Sequence, residues 1–171
     1  CLAFPGLERE HPMKYAAAIF NTLFGGAMSS RLFQRVREEN GLTYSIYSYT
    51  TAFADTGVFS IYAGMNPNQA ERVYELIAGE MEGVKETPFP PKLIEITKEQ
   101  MVSNFIIGTE STLNRMTSAG ASLLLRGSVE ETEEIIAKIE AVTAEDVLEA
   151  AKAVLRTEEM SFSAVGNLKG T

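Results

Sequence analysis

The fold turns on residues 43–65, TYSIYSYTTAFADTGVFSIYAGM. From Thr43 to Phe53 the residues are β-branched, aromatic or small, "ADTG" at 54–57 supplies turn formers, and a second run of the same kind extends from Val58 to Met65. Two such runs joined by a short turn make an antiparallel hairpin.

Outward from the hairpin the period changes. HPMKYAAAIFNTLFGG (11–26) carries Ala16, Ile19, Phe20 and Leu23 at helical spacing, with Pro12 at the first helical position and Gly25 and Gly26 beyond the end. A second helix is expected from about Ser30 to Glu39, with Leu32, Phe33 and Val36 as its buried stripe and Gly41 as its stop. After the hairpin, Asn66 is placed as an N-cap and Pro67 at the first position of a helix that turns Ala70, Val73, Ile77, Met81 and Val84 to one side. The "PFPP" at 88–91 permits a helix start but not a continuation, and 91–125 holds two helical patterns broken or bent near Gly108. "SVEE" at Ser128 and "TAED" at Thr143 are candidate capping boxes for two more helices. "CLAF" at the start and "MSFSAVG" at 160–166 read as strands. This order describes one α+β domain over residues 1–171, a mostly antiparallel sheet with its helices packed on one face. Because the chain opens on Cys1 in what reads as mid-strand, a longer parent polypeptide is expected.

Composition removes several functions. At 171 residues with 45% hydrophobic content, the chain has the size and composition of one domain with a sizeable core. No apolar stretch is long enough for a membrane span and no signal peptide is evident, so a soluble, cytoplasmic bacterial protein is expected, with no membrane partner. A net charge of −8 and the lack of a basic stripe argue against a nucleic-acid partner. Acids crowd residues 130–149, which suits a solvated helical face or the attraction of basic peptides. With one histidine, His11, and one cysteine, Cys1, no His/Cys zinc constellation can be built, and no carboxylate motif for a hard cation is present, so no metal ligand is assigned in this chain. "MSSRL" is not a nucleophile elbow, and the glycine pair lacks the spacing and lysine of a phosphate loop. Gly25 and Gly26 then stand either as a helix C-cap or as a point of close backbone approach to another chain.

Arg37 and Tyr44 remain. Arg37 falls in the last turn of a short helix, where a cation complements the helix dipole, and Tyr44 opens a tyrosine-rich strand, where such residues commonly pack. Together they allow another reading. A guanidinium can hold a peptide carbonyl, a phenol can donate to an oxygen gaining negative charge during peptide hydrolysis, and a turn at Gly41 would set both on one surface.

GGAMSSRLFQRVREENGLTYSIYS (25–48), with PMKYAAAIFNTLFGG before it, DTGVFSIYAG after it, and VTAEDVLEAAKAVL and AVGNL toward the end, resembles the second, C-terminal domain of the pitrilysin/insulinase family of zinc peptidases, of the processing-peptidase-like bacterial type. The resemblance implies a division of labour. A catalytic half, an N-terminal domain in cis or a partner subunit, carries H-x-x-E-H and binds zinc, and this domain faces it across a closed chamber. It implies Tyr44 as oxyanion donor, Arg37 as a ligand of substrate carbonyl, and a dimer acting on peptide or unfolded-protein substrates. Gly25, Gly26, Ser29 and Ser30 are the further substrate-binding candidates. The sequence departs from the family in having no H-x-x-E-H and in placing Ala27 where a third glycine is frequent. The alternative is a domain of a non-catalytic partner or scaffold subunit.

Overall fold

A computed structural model describes residues 1–167. The hairpin is present as β2 (Thr43–Ala52) and β3 (Gly57–Met65), closed by the Phe53 N–H donating to the Thr56 carbonyl at 2.8 Å. β1 (Leu2–Gly6) pairs with β3 from Leu2↔Ile61 to Gly6↔Gly57, and β4 (Ser161–Phe162) pairs with β1, which gives the antiparallel order β2-β3-β1-β4. The strand read over 160–166 is thus two residues long, extended only by the reciprocal bonds between Cys1 and Ser163. Leu168, the end of the AVGNL motif, lies outside the described residues.

Alternation along the strands gives the sheet two unlike faces. Leu2, Phe4, Phe59, Ile61, Ile46 and Ser48 are buried beneath the helices, whereas Tyr47, Tyr49 and Tyr62 stand on the uncovered face. The core is an aromatic stack seeded by α1 (Lys14–Asn21): Phe20 lies 5.2 Å from Phe24 and 5.8 Å from Phe59, ring centre to ring centre. α2 (Ala70–Glu86) adds Val73, Ile77, Met81 and Val84, the stripe its sequence predicts, with Ala70 half-buried at its edge. α3 (Pro91–Glu110), α4 (Thr112–Arg126), α5 (Thr132–Glu140) and α6 (Ala144–Val154) complete the helical layer, so the α+β architecture with helices on one face is observed. Among the described residues no helix is long and apolar enough to cross a membrane.

Several boundaries differ from the sequence expectation, each for a local reason. Pro12 is in a turn, not at the first helical position: the His11 ring accepts the Met13 N–H at 3.1 Å and its carbonyl accepts the Lys14 N–H, so α1 starts at Lys14. The helix also does not end before the glycines, because the chain continues in a wider π turn, Thr22–Gly26, that contains them. The second helix is wound mostly as a π segment, Phe33–Glu38; Leu32 and Val36 are fully buried, but Phe33 is only half-buried, lying under the Arg37 guanidinium. Asn66 caps a single 3-10 turn, Pro67–Gln69, which leads into α2. Gly108 stays helical. The break falls at Ser111, whose hydroxyl caps α4 by accepting the Asn114 N–H. Ser128 caps nothing: its carbonyl accepts from Ser122, and α5 opens only at Thr132. Thr143 does form the expected box, accepting the Asp146 N–H at 3.2 Å while the Asp146 carboxylate accepts the Thr143 N–H at 2.8 Å.

Candidate functional site

The Arg37-to-Tyr44 segment is built around Gly41. Its N–H donates to the Arg37 carbonyl at 3.0 Å, the Leu42 N–H reaches the Val36 carbonyl, and Gly41 takes φ +62°, a left-handed conformation that ends the π segment and aims the chain into β2. Arg37 therefore sits at the helix exit and Tyr44 at the strand entry, on either side of one turn.

Strand parity alone would bury Tyr44. It shares its parity with Ile46 and Ser48, each 3% exposed, yet Tyr44 is 75% exposed and the preceding Thr43 is the buried one, at 8%. The cause is a register shift between Thr43 and Ser45, where Thr43 opposes Met65 and Ser45 opposes Gly64. This bulge inserts Tyr44 as the unpaired residue and re-aims its phenol outward.

The three arginines of the stretch have different surroundings. The Arg31 Nε bonds Glu80 of α2, and Arg35 bonds Glu39 at 2.6 Å and approaches Glu80 at 3.5 Å. Arg37 makes no ion pair among the described residues; its guanidinium is exposed, 4.7 Å from the centre of the Phe33 ring. That contact lays one face of the guanidinium over the ring, and among the described residues its N–H donors have no acceptor. Its position in the last helical turn also suits a cation.

The remaining candidates separate by burial. Gly25 is buried against β2: a Cβ there would stand 2.5 Å from Ser48 Oγ and 2.7 Å from the Ser48 nitrogen. Gly25 is thus not a simple cap but a close approach to a strand of the same chain. Gly26 is exposed and backs onto Asn21, whose side-chain oxygen accepts from Ser48 Oγ at 2.8 Å and pins the π turn to β2. Ala27 is extended, at φ −132° and ψ 162°, so a residue with a side chain fits there without strain. Ser29 is exposed at the rim of a cleft of about 480 Å³ walled by Arg31, Gln34, Glu80, Phe89 and Leu93. Ser30 is 1% exposed, its hydroxyl without a hydrogen-bond partner among the described residues, and so does not face the surface shared by Arg37 and Tyr44.

The sequence reading missed Asn21, Ser48 and Glu80, the residues that position this surface. Asn21 in an apolar helix and Ser48 between two tyrosines were the available signals. The acids at 130–149 lie largely in solvent, except Glu130, which is bound by Lys138, Arg126 and Lys14. Among the described residues no three His, Cys, Asp or Glu side chains converge as a metal site, so the donor set does not fit a zinc ion.

These features define an α+β domain that presents an exposed arginine and an exposed tyrosine on either side of one turn and, among the described residues, no cluster of metal donors. The chain belongs to the peptidase M16 family: the sequence profile described as "Peptidase M16 inactive domain" matches residues 1–101. It is 39% identical over 168 residues to an uncharacterized zinc protease of Streptomyces coelicolor, covering 98% of this chain and 36% of that protein. It is 40% identical over 147 residues to one of Bacillus subtilis, covering 86% and 36% respectively. The chain thus spans little more than a third of the length of these relatives. A peptidase M16 inactive domain from Pseudomonas fluorescens has the same fold, with a TM-score of 0.84 at 24% identity over 93% of this chain and 38% of that one. A conserved protein from Enterococcus faecalis matches with a TM-score of 0.78 at 25% identity, covering 93% and 37%.

Proposed function

We propose that this domain is the half of a zinc metalloendopeptidase that binds no metal, and that it lines a closed chamber with Arg37 and Tyr44. Arg37 donates from its guanidinium to a main-chain carbonyl of the peptide, holding it in register. Tyr44 donates from its phenol to the scissile oxygen as that oxygen gains charge. Neither residue exchanges a proton with substrate irreversibly, so both tasks depend on placement. The zinc belongs to the catalytic half, in cis or in a partner subunit, and the substrates are peptides or unfolded segments able to enter the chamber.

One observation carries the reading: the bulge at Thr43–Ser45 turns Tyr44 out of the core at the turn whose other side bears Arg37, the arginine of this stretch with no acidic partner among the described residues. A domain serving only as scaffold has no use for a bulge that exposes a phenol. The test is Tyr44→Phe in the enzyme that contains this domain. Turnover should fall roughly 100-fold or more, the size of one lost oxyanion donor, with bound zinc unchanged. Turnover within about twofold of the parent would refute the role.

A further inference from the structure

Asn40 and Gly41 lie in the turn between Arg37 and Tyr44 and carry a chemistry of their own. Of the asparagines in the chain, only Asn40 is followed by a glycine. Asparagine is among the thermally labile residues, because the backbone nitrogen that follows it can attack its side-chain carbonyl carbon. A side chain on the following residue crowds that attack, and glycine has none. Both residues are exposed, and nothing lies within 4 Å of where a Cβ on Gly41 would stand.

The turn ties down both reacting groups. Asn40 Nδ2 donates to the Arg35 carbonyl at 2.6 Å, and the Gly41 N–H donates to the Arg37 carbonyl at 3.0 Å. The Leu42 N–H, on the Val36 carbonyl at 3.2 Å, adds a third bond to the same turn. Cyclisation has to break the bond from the Gly41 N–H, whose proton it removes, and swing the Asn40 side chain off the Arg35 carbonyl. These carbonyls belong to the end of a short π segment, Phe33–Glu38, and exposed segment ends open at small cost.

We propose that Asn40–Gly41 is a deamidation site gated by this turn, and that its conversion sets a carboxylate beside Arg37. When the turn opens, the Gly41 nitrogen loses its proton and bonds Asn40 Cγ. The bond from Cγ to Nδ2 breaks, ammonia leaves with that proton, and a cyclic imide remains. Water then opens the imide at either carbonyl, giving aspartate or isoaspartate, and is the only co-reactant. The product cannot donate to the Arg35 carbonyl, so the 2.6 Å bond is lost. Position 40 is three residues from Arg37, a neighbouring place on a helical surface, and Arg37 has no acidic partner among the described residues. The new carboxylate therefore competes with a peptide carbonyl for the Arg37 guanidinium. That consequence rests on the function proposed above; the conversion does not.

The protein that contains this domain is aged at mildly alkaline pH, native and in urea, and position 40 is read by peptide mass spectrometry, with enzymatic methylation reporting isoaspartate. Asn40 should be the first asparagine to convert in urea and should convert about tenfold more slowly, or slower still, in the native protein. Asn40→Gln, whose ring would need one more atom, should not convert. Equal rates in the two states overturn the gate, and conversion of other asparagines before Asn40 overturns the site. Asn40→Asp supplies the product directly. Followed by NMR titration, its new carboxylate should fall below the ordinary carboxylate range and return to it when Arg37→Ala is added. A value that Arg37→Ala leaves unmoved overturns the pairing. With peptide substrate, Asn40→Asp should raise KM about twofold to fivefold at nearly unchanged kcat, whereas Asn40→Ala, which loses the bond to Arg35 without adding charge, should stay near the parent. Equal rises in the two variants overturn the part given to charge. If the titration responds to Arg37 while neither Asn40→Asp nor Arg37→Ala moves KM, the proposed function fails and the deamidation site stands.

Discussion

Replacing Gly25 by Ala tests the packing that joins the π turn to β2. The new Cβ would sit 2.7 Å from the Ser48 nitrogen, against the roughly 3.5 Å at which such atoms rest, so the two segments must part by about 0.8 Å. Rotating Ser48 Oγ out of the way does not relieve the contact with the backbone nitrogen, and it breaks the 2.8 Å bond to Asn21. Overpacking of this kind costs about 1–3 kcal/mol and the lost hydrogen bond about 1 kcal/mol more. For a chain of this size the melting temperature should drop by roughly 5–15 °C. Gly79→Ala is the matched control: it lies inside α2 with nothing within 4 Å of its would-be Cβ, and removing a mid-helix glycine should raise stability by about 1 kcal/mol. Thermal melts followed by far-UV circular dichroism compare the two. If Gly25→Ala melts within about 2 °C of the parent, or both variants shift in the same direction, the close approach assigned to Gly25 is wrong.

Two further predictions concern the helical layer. Thr143→Ala removes the reciprocal cap of α6 and should cost about 1 kcal/mol, read as a lower urea midpoint at unchanged slope; no change would mean that the box contributes nothing. The Glu130 carboxylate is held below its ordinary value of 4.5 by the hydrogen bond from Lys138 and by the charges of Lys14 and Arg126, with burial opposing them. A lowered carboxylate pKa stabilises the fold above the ordinary carboxylate range and loses that contribution as pH falls through the lowered value. The melting temperatures of the parent and Glu130→Gln should therefore differ near neutral pH and converge as pH falls through that lowered value, whereas a gap that persists once the carboxylate is protonated would refute the linkage.

The hairpin, the α2 stripe and the Thr143 box were legible because each is written in consecutive residues. Val73, Ile77, Met81 and Val84 need only a period, and Thr143 with Asp146 only a spacing. Ser111 and Ser128 show where that fails. Both are serines beside helical patterns, but Ser111 finds the Asn114 N–H, whereas the carbonyl of Ser128 is taken by the Ser122 hydroxyl and Glu130 beside it by cations from three helices. Gly25 failed for a related reason: its partner is Ser48 in a strand yet to come, and nothing local announces a contact of that range. Arg31, Arg35 and Arg37 are likewise equivalent in the sequence. Only Glu80, placed by the packing of α2, engages the first two and leaves the third.

Tyr44 is where pattern and structure part most sharply, and the difference can be measured. If the parity of β2 held, its phenol would point with Ile46 and Ser48 into the core, and Tyr44→Ala would open a cavity costing about 3–5 kcal/mol, as large aromatic truncations do. With the bulge in place the ring is 75% exposed, and the same substitution should change stability by no more than about 0.5 kcal/mol. Urea unfolding of Tyr44→Ala decides between them, with Ile46→Ala, expected to lose about 2–5 kcal/mol, as the reference for a residue that does face inward. The outcome bears on function as well as packing. A Tyr44 variant as stable as its parent cannot lose turnover by unfolding, so any catalytic defect in Tyr44→Phe then belongs to the hydroxyl. A loss as large as that of Ile46→Ala would instead return Tyr44 to the core and remove the basis for its proposed role.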